Sequence, residues 1–224
     1  PTGWSSVDTA EEIRQKLEFA GINLSNESSH CVATGYGRIS VPYADKTVTE
    51  ITCHALGAVH LFQHPDLTVI DIGGQDTKII QIEQGFVKDF IMNDKCAAGT
   101  GRFLEVMANT LSLRPNEMFD LARLGSDTTI SSMCTVFAES EVIGLIGKGE
   151  PKENIAYAVV NSTIRKVAAQ VSRMNGEMFT FCLTGGLCEC DYIREALSKE
   201  LGKDVFSCPD ARYAGAIGAA LSAM

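Results

Sequence analysis

Residues 69–80 constrain the fold and the chemistry of this chain more than any other stretch of its sequence. An apolar run ends in Asp71, two glycines and a polar tip follow, and a second apolar run begins after Lys78. This pattern predicts a strand, a tight turn and a returning strand. Because glycine lacks a Cβ atom, Gly73 and Gly74 let the backbone approach a ligand closely, as a phosphate group requires.

The polar side chains of the same turn are of the types that a bound phosphate needs. Asp71 and Asp76 can hold Mg²⁺ through carboxylate oxygens or bridging water, and Lys78 can neutralise phosphate charge. An ordinary β-hairpin closed by a Gly-Gly turn would show the same pattern. The stretch alone therefore leaves a phosphate loop and a plain hairpin as equal alternatives.

Length and composition exclude several classes of protein. The 224 residues can form one large domain or two small ones, and the 45% hydrophobic content is enough to bury a core. A net charge of −9 argues against nucleic acid as the main partner. No apolar run is long enough to span a membrane and no signal peptide opens the sequence, so a cytoplasmic location is expected. Eight cysteines in such a chain favour reduced thiols used for metal or redox chemistry.

Hydrophobic periodicity predicts an α/β chain that contains an antiparallel meander. Strands are expected at residues 67–73, 77–83 and 86–92, and this meander excludes a simple doubly wound sheet. Helical periodicity and turn residues predict the other elements. They are a first helix ending near Gly21, helices at 47–62, 100–113, 135–148, 154–174, 192–201 and 211–224, and short strands at 31–36, 179–183 and 205–206.

Two cysteines are each predicted to lie just before a helix, Cys96 before the helix near Thr100 and Cys134 before the helix at Thr135. The free N–H groups and positive dipole of a helix N-terminus lower a thiol pKa and stabilise a metal–thiolate centre. Two cysteines do not complete a tetrahedral site, whereas a symmetric dimer supplies the four thiolates of a [4Fe–4S] cluster. Burial in the core is the common fate of free cysteines and is favoured for an arbitrary pair, so the residues alone leave cluster binding as one possibility.

Two further pairs are weaker candidates. Glu50 and His54 lie four residues apart and hence on one helix face, where Glu50 could steer water, but two ligands are too few for a metal site. Cys188 and Cys190 form a C-x-C pair that does not easily chelate one tetrahedral ion alone, so exposed or core thiols are the default interpretation.

Seven segments, in order along nearly the whole chain, resemble a known family. They are residues 33–38, 50–55, 71–78, 92–103, 134–143, 184–186 and 215–221. The blocks NDKCAAGTG at 93–101 and CTVFAESE at 134–141 are the most specific. On these residues the chain is similar to the ATP-dependent activators of 2-hydroxyacyl-CoA dehydratases, a group that also contains the ATPase subunits of benzoyl-CoA reductase.

The resemblance implies an α/β fold of the actin, Hsp70 and sugar-kinase (ribonuclease H-like) type, with two related domains and ATP in the cleft. It divides the chain into a partial first subdomain at 1–67, a second nucleotide-binding subdomain with the cluster loops at 68–210, and a helix at 211–224 that returns to the first. Helices near Thr100 and Gly215 resemble the connecting helices between the domains.

The resemblance also assigns roles to single residues. Gln75 and Asp76 are the implied catalytic residues, with Gln75 positioning the attacking water. The implied contacts to ATP or ADP and Mg²⁺ come from a second phosphate loop, an adenosine-side turn and one arginine where relatives tend to have glutamine. These residues are Asp71, Gly73, Gly74, Gln75, Asp76, Lys78, Gly185, Gly186 and Arg212.

Cofactor and partners follow from the same resemblance. A homodimer would bind one [4Fe–4S] cluster through Cys96 and Cys134 of each subunit, and ATP would drive a domain movement. One low-potential electron would pass from a donor such as ferredoxin or flavodoxin to a 2-hydroxyacyl-CoA dehydratase or a similar CoA-ester reductase. A kinase-like transferase and a cluster-free regulatory ATPase are the alternatives on the same fold.

The sequence departs from the family at its start. The family begins with a first phosphate hairpin, and nothing before Pro1 supplies that hairpin or roughly the first three strands. We expect the sequence to be an incomplete chain rather than one that has lost its ATP site, because a sheet without those strands would expose a bare edge.

Overall fold

The computed structural model describes residues 5–24, 26, 29–93, 95–131, 134–174 and 179–223. These residues form seven strands and eight α-helices. The strands are β1 (Val32–Ala33), β2 (Lys46–Thr47), β3 (Leu67–Ile72), β4 (Thr77–Glu83), β5 (Phe86–Asn93), β6 (Thr180–Gly185) and β7 (Val205–Phe206). The helices are α1 (Ser6–Phe19), α2 (Glu50–Phe62), α3 (Gly101–Thr110), α4 (Pro115–Ala122), α5 (Thr135–Gly147), α6 (Lys152–Val171), α7 (Asp191–Leu201) and α8 (Ala214–Leu221).

A five-stranded mixed sheet in the order β5-β4-β3-β6-β7 organises the chain. Strands β3, β4 and β5 form the predicted antiparallel meander, while β6 and β7 continue the sheet in parallel with β3. The register places Asp71 of β3 between Lys78 of β4 and Thr184 of β6. Strands β1 and β2 form a separate parallel pair.

Helices cover both faces of the sheet, so β3 is buried along its whole length. Ile70 and Ile72 point into the larger core cluster, which also contains side chains of α3, α4, α6 and α7. Leu67 and Val69 point the other way, into a smaller cluster with Ala58 of α2. The alternation follows the two-residue period of a strand, and burial on both faces explains the continuous apolar run in the sequence.

Helices α2 and α8 cross at backbone distance. A Cβ atom on Gly218 would lie 1.8 Å from the carbonyl oxygen of Cys53, and one on Gly57 would lie 1.9 Å from that of Ala214. The close approach expected from the small residues of the last helix is therefore made to α2. Helix α3, near Thr100, packs against α4, α5 and α6. Its role as a connecting helix between the domains stays a prediction.

Several boundaries differ from those predicted. Helix α1 ends at Phe19, near the predicted Gly21, and is capped by Ser5, whose hydroxyl accepts from the N–H of Asp8. The helix predicted at 100–113 ends at Thr110, and α4 follows it unpredicted. Among the described helices, none has the length and apolar character needed to traverse a lipid bilayer.

Candidate functional site

The turn between β3 and β4 is docked on the start of α3. The N–H of Gly73 donates to the carbonyl oxygen of Asp76 at 2.9 Å and closes the turn. The carbonyl oxygens of Gly73 and Gly74 accept from the N–H groups of Gly101 and Arg102, both at 2.9 Å. Since the first N–H groups of a helix have no partner within it, the turn supplies the cap for α3. Gly74 and Gln75 remain exposed at the tip.

A buried ion cluster lies at the base of the turn. The Lys78 Nζ atom lies 2.5 Å from Asp76 Oδ1, 3.4 Å from Asp71 Oδ2 and 3.7 Å from Glu50 Oε1. Thr184 Oγ1 donates to Asp71 Oδ1 at 2.8 Å. When all four groups are ionised, three carboxylates and one ammonium group leave two negative charges uncompensated. A bound cation would compensate this excess negative charge.

The pKa of Lys78 is raised above its ordinary value. Burial alone lowers the pKa of this group, but the Coulombic attraction of Asp71, the hydrogen bond and charge of Asp76, and the charge of Glu50 together outweigh it. The ammonium form is therefore the one that the folded chain holds.

The oxygen donors of this cluster match the ligand preference of Mg²⁺. Within the described ranges, no group of three or more His, Cys, Asp or Glu side chains is arranged to hold a metal ion by itself. Mg²⁺ is usually held by one or two carboxylates together with waters and phosphate oxygens. Asp71 and Asp76 fit that partial role, with the remaining ligands coming from a nucleotide.

Glu50 and His54 belong to the same site, a role that the sequence left open. Both lie on the first turns of α2, which brings His54 Nδ1 to within 3.4 Å of Asp71 Oδ1. This buried nitrogen has no hydrogen-bond partner with suitable geometry among the described residues. A Cβ atom on Gly215 would lie 2.9 Å from His54 Nε2, so the imidazole fills the space between the sheet end and α8.

The second glycine turn follows β6 and lies beside Asp71. Gly186 donates its N–H to the carbonyl oxygen of Ile72 at 3.2 Å. Gly185 has a φ angle of +82°, and a Cβ atom there would lie 2.5 Å from the same oxygen. Arg212 is more distant from the ion cluster, since its exposed guanidinium group pairs with Glu189 at 3.1 Å.

Cys134 occupies the position that the sequence predicts for it. It is the N-cap residue of α5, its side chain is exposed, and no side chain caps the helix. Ser131 contacts the same helix, since its N–H donates to both carboxylate oxygens of Glu141 at 3.0 Å. Large apolar side chains of the same helix are exposed next to this cysteine, among them Val136 and Phe137.

Cys96 precedes α3, as the sequence predicts, but it does not lie directly at the N-terminus of the helix. It precedes the N-cap residue Thr100 by four positions, and the turn at Gly73 takes the first N–H groups of α3. The positive charge near this cysteine comes from a side chain instead of a helix N-terminus, because Lys166 Nζ lies 3.7 Å from Cys96 Sγ. Asn93 Nδ2 fixes the surrounding backbone by donating to the carbonyl oxygens of Cys96 and Ala98.

The other cysteines of interest fit the packing interpretation. Cys188 is buried and Cys190 is half-buried at the start of α7. Burial raises the pKa of both thiols. Cys182 in β6 is fully buried, and burial, together with the charge of Cys208, raises its pKa to about 12. Thiols of this kind are poor thiolate ligands at neutral pH.

Comparison with known proteins identifies close relatives. The profile of the BadF/BadG/BcrA/BcrD ATPase family matches residues 5–223. The chain is 44% identical over 226 residues to the (R)-2-hydroxyglutaryl-CoA dehydratase activating ATPase of Acidaminococcus fermentans. The matched region covers 99% of this chain and 85% of that protein. It is 41% identical over 223 residues to the activator of lactoyl-CoA dehydratase of Anaerotignum propionicum, with 99% and 85% covered.

Solved structures show the same relationship. Component A of the Acidaminococcus fermentans (R)-2-hydroxyglutaryl-CoA dehydratase superimposes with a TM-score of 0.88 at 43% identity, over 99% of this chain and 85% of that chain. The 2-hydroxyisocaproyl-CoA dehydratase activator of Clostridium difficile with bound ADPNP superimposes with a TM-score of 0.86 at 34% identity. The match covers 100% of this chain and 81% of that chain. MreB 5 of Spiroplasma citri shares the fold alone. It superimposes with a TM-score of 0.56 at 12% identity, over 95% of this chain and 74% of that chain.

The predicted α/β fold of the actin and sugar-kinase type is thereby confirmed. The profile match spans nearly the whole chain, and two activators are more than 40% identical to it. On this evidence the chain belongs to the BadF/BadG/BcrA/BcrD ATPase family.

Proposed function

We propose that this chain acts as an ATP-hydrolysing, [4Fe–4S]-containing homodimeric activator. It passes one low-potential electron from a donor such as ferredoxin or flavodoxin to a 2-hydroxyacyl-CoA dehydratase or a related CoA-ester reductase. The observation that carries the proposal is the docking of the turn at Gly73 and Gly74 on α3, since it joins the candidate phosphate loop to the segment that bears Cys96. The activities of the relatives agree with this function.

In this proposal the nucleotide and Mg²⁺ bind at the turn and ion cluster. Asp71 and Asp76 contact the metal directly or through water, Lys78 faces the phosphate charge, and Gln75 at the exposed tip positions the attacking water. The glycine turn at Gly185 and Gly186 lies on the adenosine side, with Arg212 at its edge. The nucleotide analogue bound to one related activator supports this assignment.

We further propose that the contact between α2 and α8 holds the helix at 211–224 on the first subdomain, taken as 1–67, while residues 68–210 form the second subdomain. The two helices are in backbone contact at Gly57 and Gly218, so in this proposal they move together as one unit.

The donor chemistry around Cys96 and Cys134 fits a shared iron–sulfur cluster. Such a cluster carries net negative charge, which the free N–H groups of α5 and the ammonium group of Lys166 would offset. When bound, it supplies the one-electron carrier. Each chain offers two of the four thiolates, and the exposed Val136 and Phe137 beside Cys134 suit burial against a second copy.

Coupling in this proposal runs through backbone hydrogen bonds. When contacts to the terminal phosphate are lost, the tip at Gly74 and Gln75 is released. Because Gly101 and Arg102 donate to the carbonyl oxygens of the turn, a shift of the turn displaces the start of α3. Thr77 Oγ1 also donates to the carbonyl oxygen of Gly99 at 2.6 Å, so the segment after Cys96 follows the same movement.

Iron content tests the cluster assignment. Substituting serine for Cys96 or for Cys134 should reduce the iron of the anaerobically purified protein from about four atoms per dimer to nearly none, because one thiolate pair is lost from a four-thiolate site. Cys190→Ser is the matched control, since Cys190 also caps a helix but has a pKa raised by burial. Full iron content in either variant, with circular dichroism unchanged, would reject the ligand assignment.

A second test addresses Glu50. The Glu50→Gln variant, made in the protein expressed from its complete reading frame, should lower the rate of ATP hydrolysis about 100-fold while changing ATP affinity less than tenfold. The expected loss has the size of a general acid–base or water-positioning contribution. Glu83→Gln serves as the control, because Glu83 pairs with Lys88 on the surface. An unchanged hydrolysis rate would remove Glu50 from the mechanism.

A further inference from the structure

A cavity of about 390 Å³ lies beside Cys96 and separate from the ion cluster. It is bounded by the end of β5, the start of α3, the loop at 128–131 and one face of α6. The α6 residues that line it recur every three or four positions and so form one stripe. The volume is within the range of about 300–1,000 Å³ that small-molecule sites occupy.

The cavity is positively charged in an otherwise acidic chain. Arg165, Lys166 and Arg173 line it, and the described lining residues include no Asp or Glu. No described carboxylate forms an ion pair with Arg165 or Arg173, and Lys166 directs its Nζ atom to Cys96 Sγ. Since the whole chain has a net charge of −9, three cations in one concave site are a local feature.

A buried acceptor lies in the same cavity. Gln170 lines the cavity and is 6% exposed, and its Oε1 atom has no hydrogen-bond partner among the described residues. Buried carbonyl oxygens are nearly always paired, because an isolated one loses its water without compensation. A ligand that brings a hydroxyl or N–H donor would satisfy this atom.

We propose that the cavity binds a small organic anion that also carries a hydrogen-bond donor, of the hydroxycarboxylate class. Its carboxylate pairs with Arg165 and Arg173, since guanidinium groups match carboxylates in geometry and charge. Its hydroxyl donates to Gln170 Oε1, and its carbon chain lies against Phe103 and Ile130. The proposal rests on the side chains of the cavity rather than on the proposed nucleotide or cluster chemistry, although Lys166 lines the cavity and also contacts Cys96 Sγ.

Isothermal titration calorimetry of the purified chain with malate and with succinate tests the proposal. The two acids differ in one hydroxyl group, so malate should bind at least tenfold more tightly because only malate can pair with Gln170 Oε1. Inorganic phosphate, which lacks the carbon chain, should bind more weakly than malate. No binding of malate, equal binding of both acids, or equally tight phosphate would overturn the assignment.

Variants assign the binding to the cavity. Arg165→Gln and Arg173→Gln should each weaken malate binding at least tenfold, whereas Arg194→Gln, which alters a half-buried arginine of α7 outside the cavity, should leave it unchanged. Gln170→Leu should bring malate and succinate to the same affinity. Malate binding that survives both arginine substitutions would place the site elsewhere, and this result stands even if the Gln170 variant does not fold.

Discussion

Replacing Gly218 with alanine should destabilise the chain by about 3 kcal/mol or more, the upper range for overpacking a close contact. The new Cβ atom would lie 1.8 Å from the carbonyl oxygen of Cys53 and 2.8 Å from the nitrogen of Gly57. Both are backbone atoms that no rotamer change can move, so α2 and α8 would have to separate. The free energy of unfolding in urea measures the effect.

A glycine in open space provides the control for this substitution. Gly144 lies on α5, and a Cβ atom there would have no other atom within 4 Å. Gly144→Ala should therefore stabilise the chain by about 0.5–1 kcal/mol, the usual gain for alanine over glycine in a helix. An unchanged urea midpoint for Gly218→Ala would contradict the backbone contact between α2 and α8.

Replacing Lys78 with methionine should cost about 3–5 kcal/mol of unfolding free energy at pH 7, as expected when one partner of a buried ion cluster is removed. Asp71 and Asp76 would be left buried without their cation, and Glu50 would lose its contact as well. Lys88→Met is the control. Lys88 and Glu83 form an exposed pair, which contributes at most about 1 kcal/mol.

The effect of the Lys78 substitution should depend on pH in a defined direction. The folded chain raises the pKa of Lys78 above the unfolded value of about 10.4, so the ammonium group contributes its full stability below that pH. This contribution is lost as the pH rises through the folded pKa. The difference in unfolding free energy between the wild type and Lys78→Met should therefore decrease above about pH 10.4. A difference that increases there would refute the assigned charge state of Lys78.

The predictions that succeeded depend on residues close together in sequence. The β3-β4 turn combines an apolar run, two glycines and a second apolar run within twelve residues, so strand period and turn chemistry are enough to predict it. The position of Cys134 was also predictable from nearby residues, because Cys134 is the N-cap residue of a helix that begins at the next residue.

The features that the sequence could not supply depend on contacts between distant segments. Glu50 and His54 join the site only because α2 packs across the end of the sheet, and Thr184 joins it through the pairing of β6 with β3. The sequence predicted free helix N–H groups beside Cys96, but the first N–H groups of α3 bond to the distant turn at Gly73 and Gly74. Helix α4 was missed although Pro115 and Glu117 are typical of a helix start.

The hydrogen bonds between the turn and α3 impose reciprocity on the molecule. The N–H of Gly73 closes the turn onto Asp76, while the carbonyl oxygens of Gly73 and Gly74 cap α3, so a shift of the turn is coupled to a shift of the helix start. If a ligand that stabilises one arrangement of the turn alters the affinity for a group bound beside Cys96, it does so by a certain factor. A group bound beside Cys96 must then alter the affinity for that ligand by the same factor, which makes the two ends of this contact equal partners.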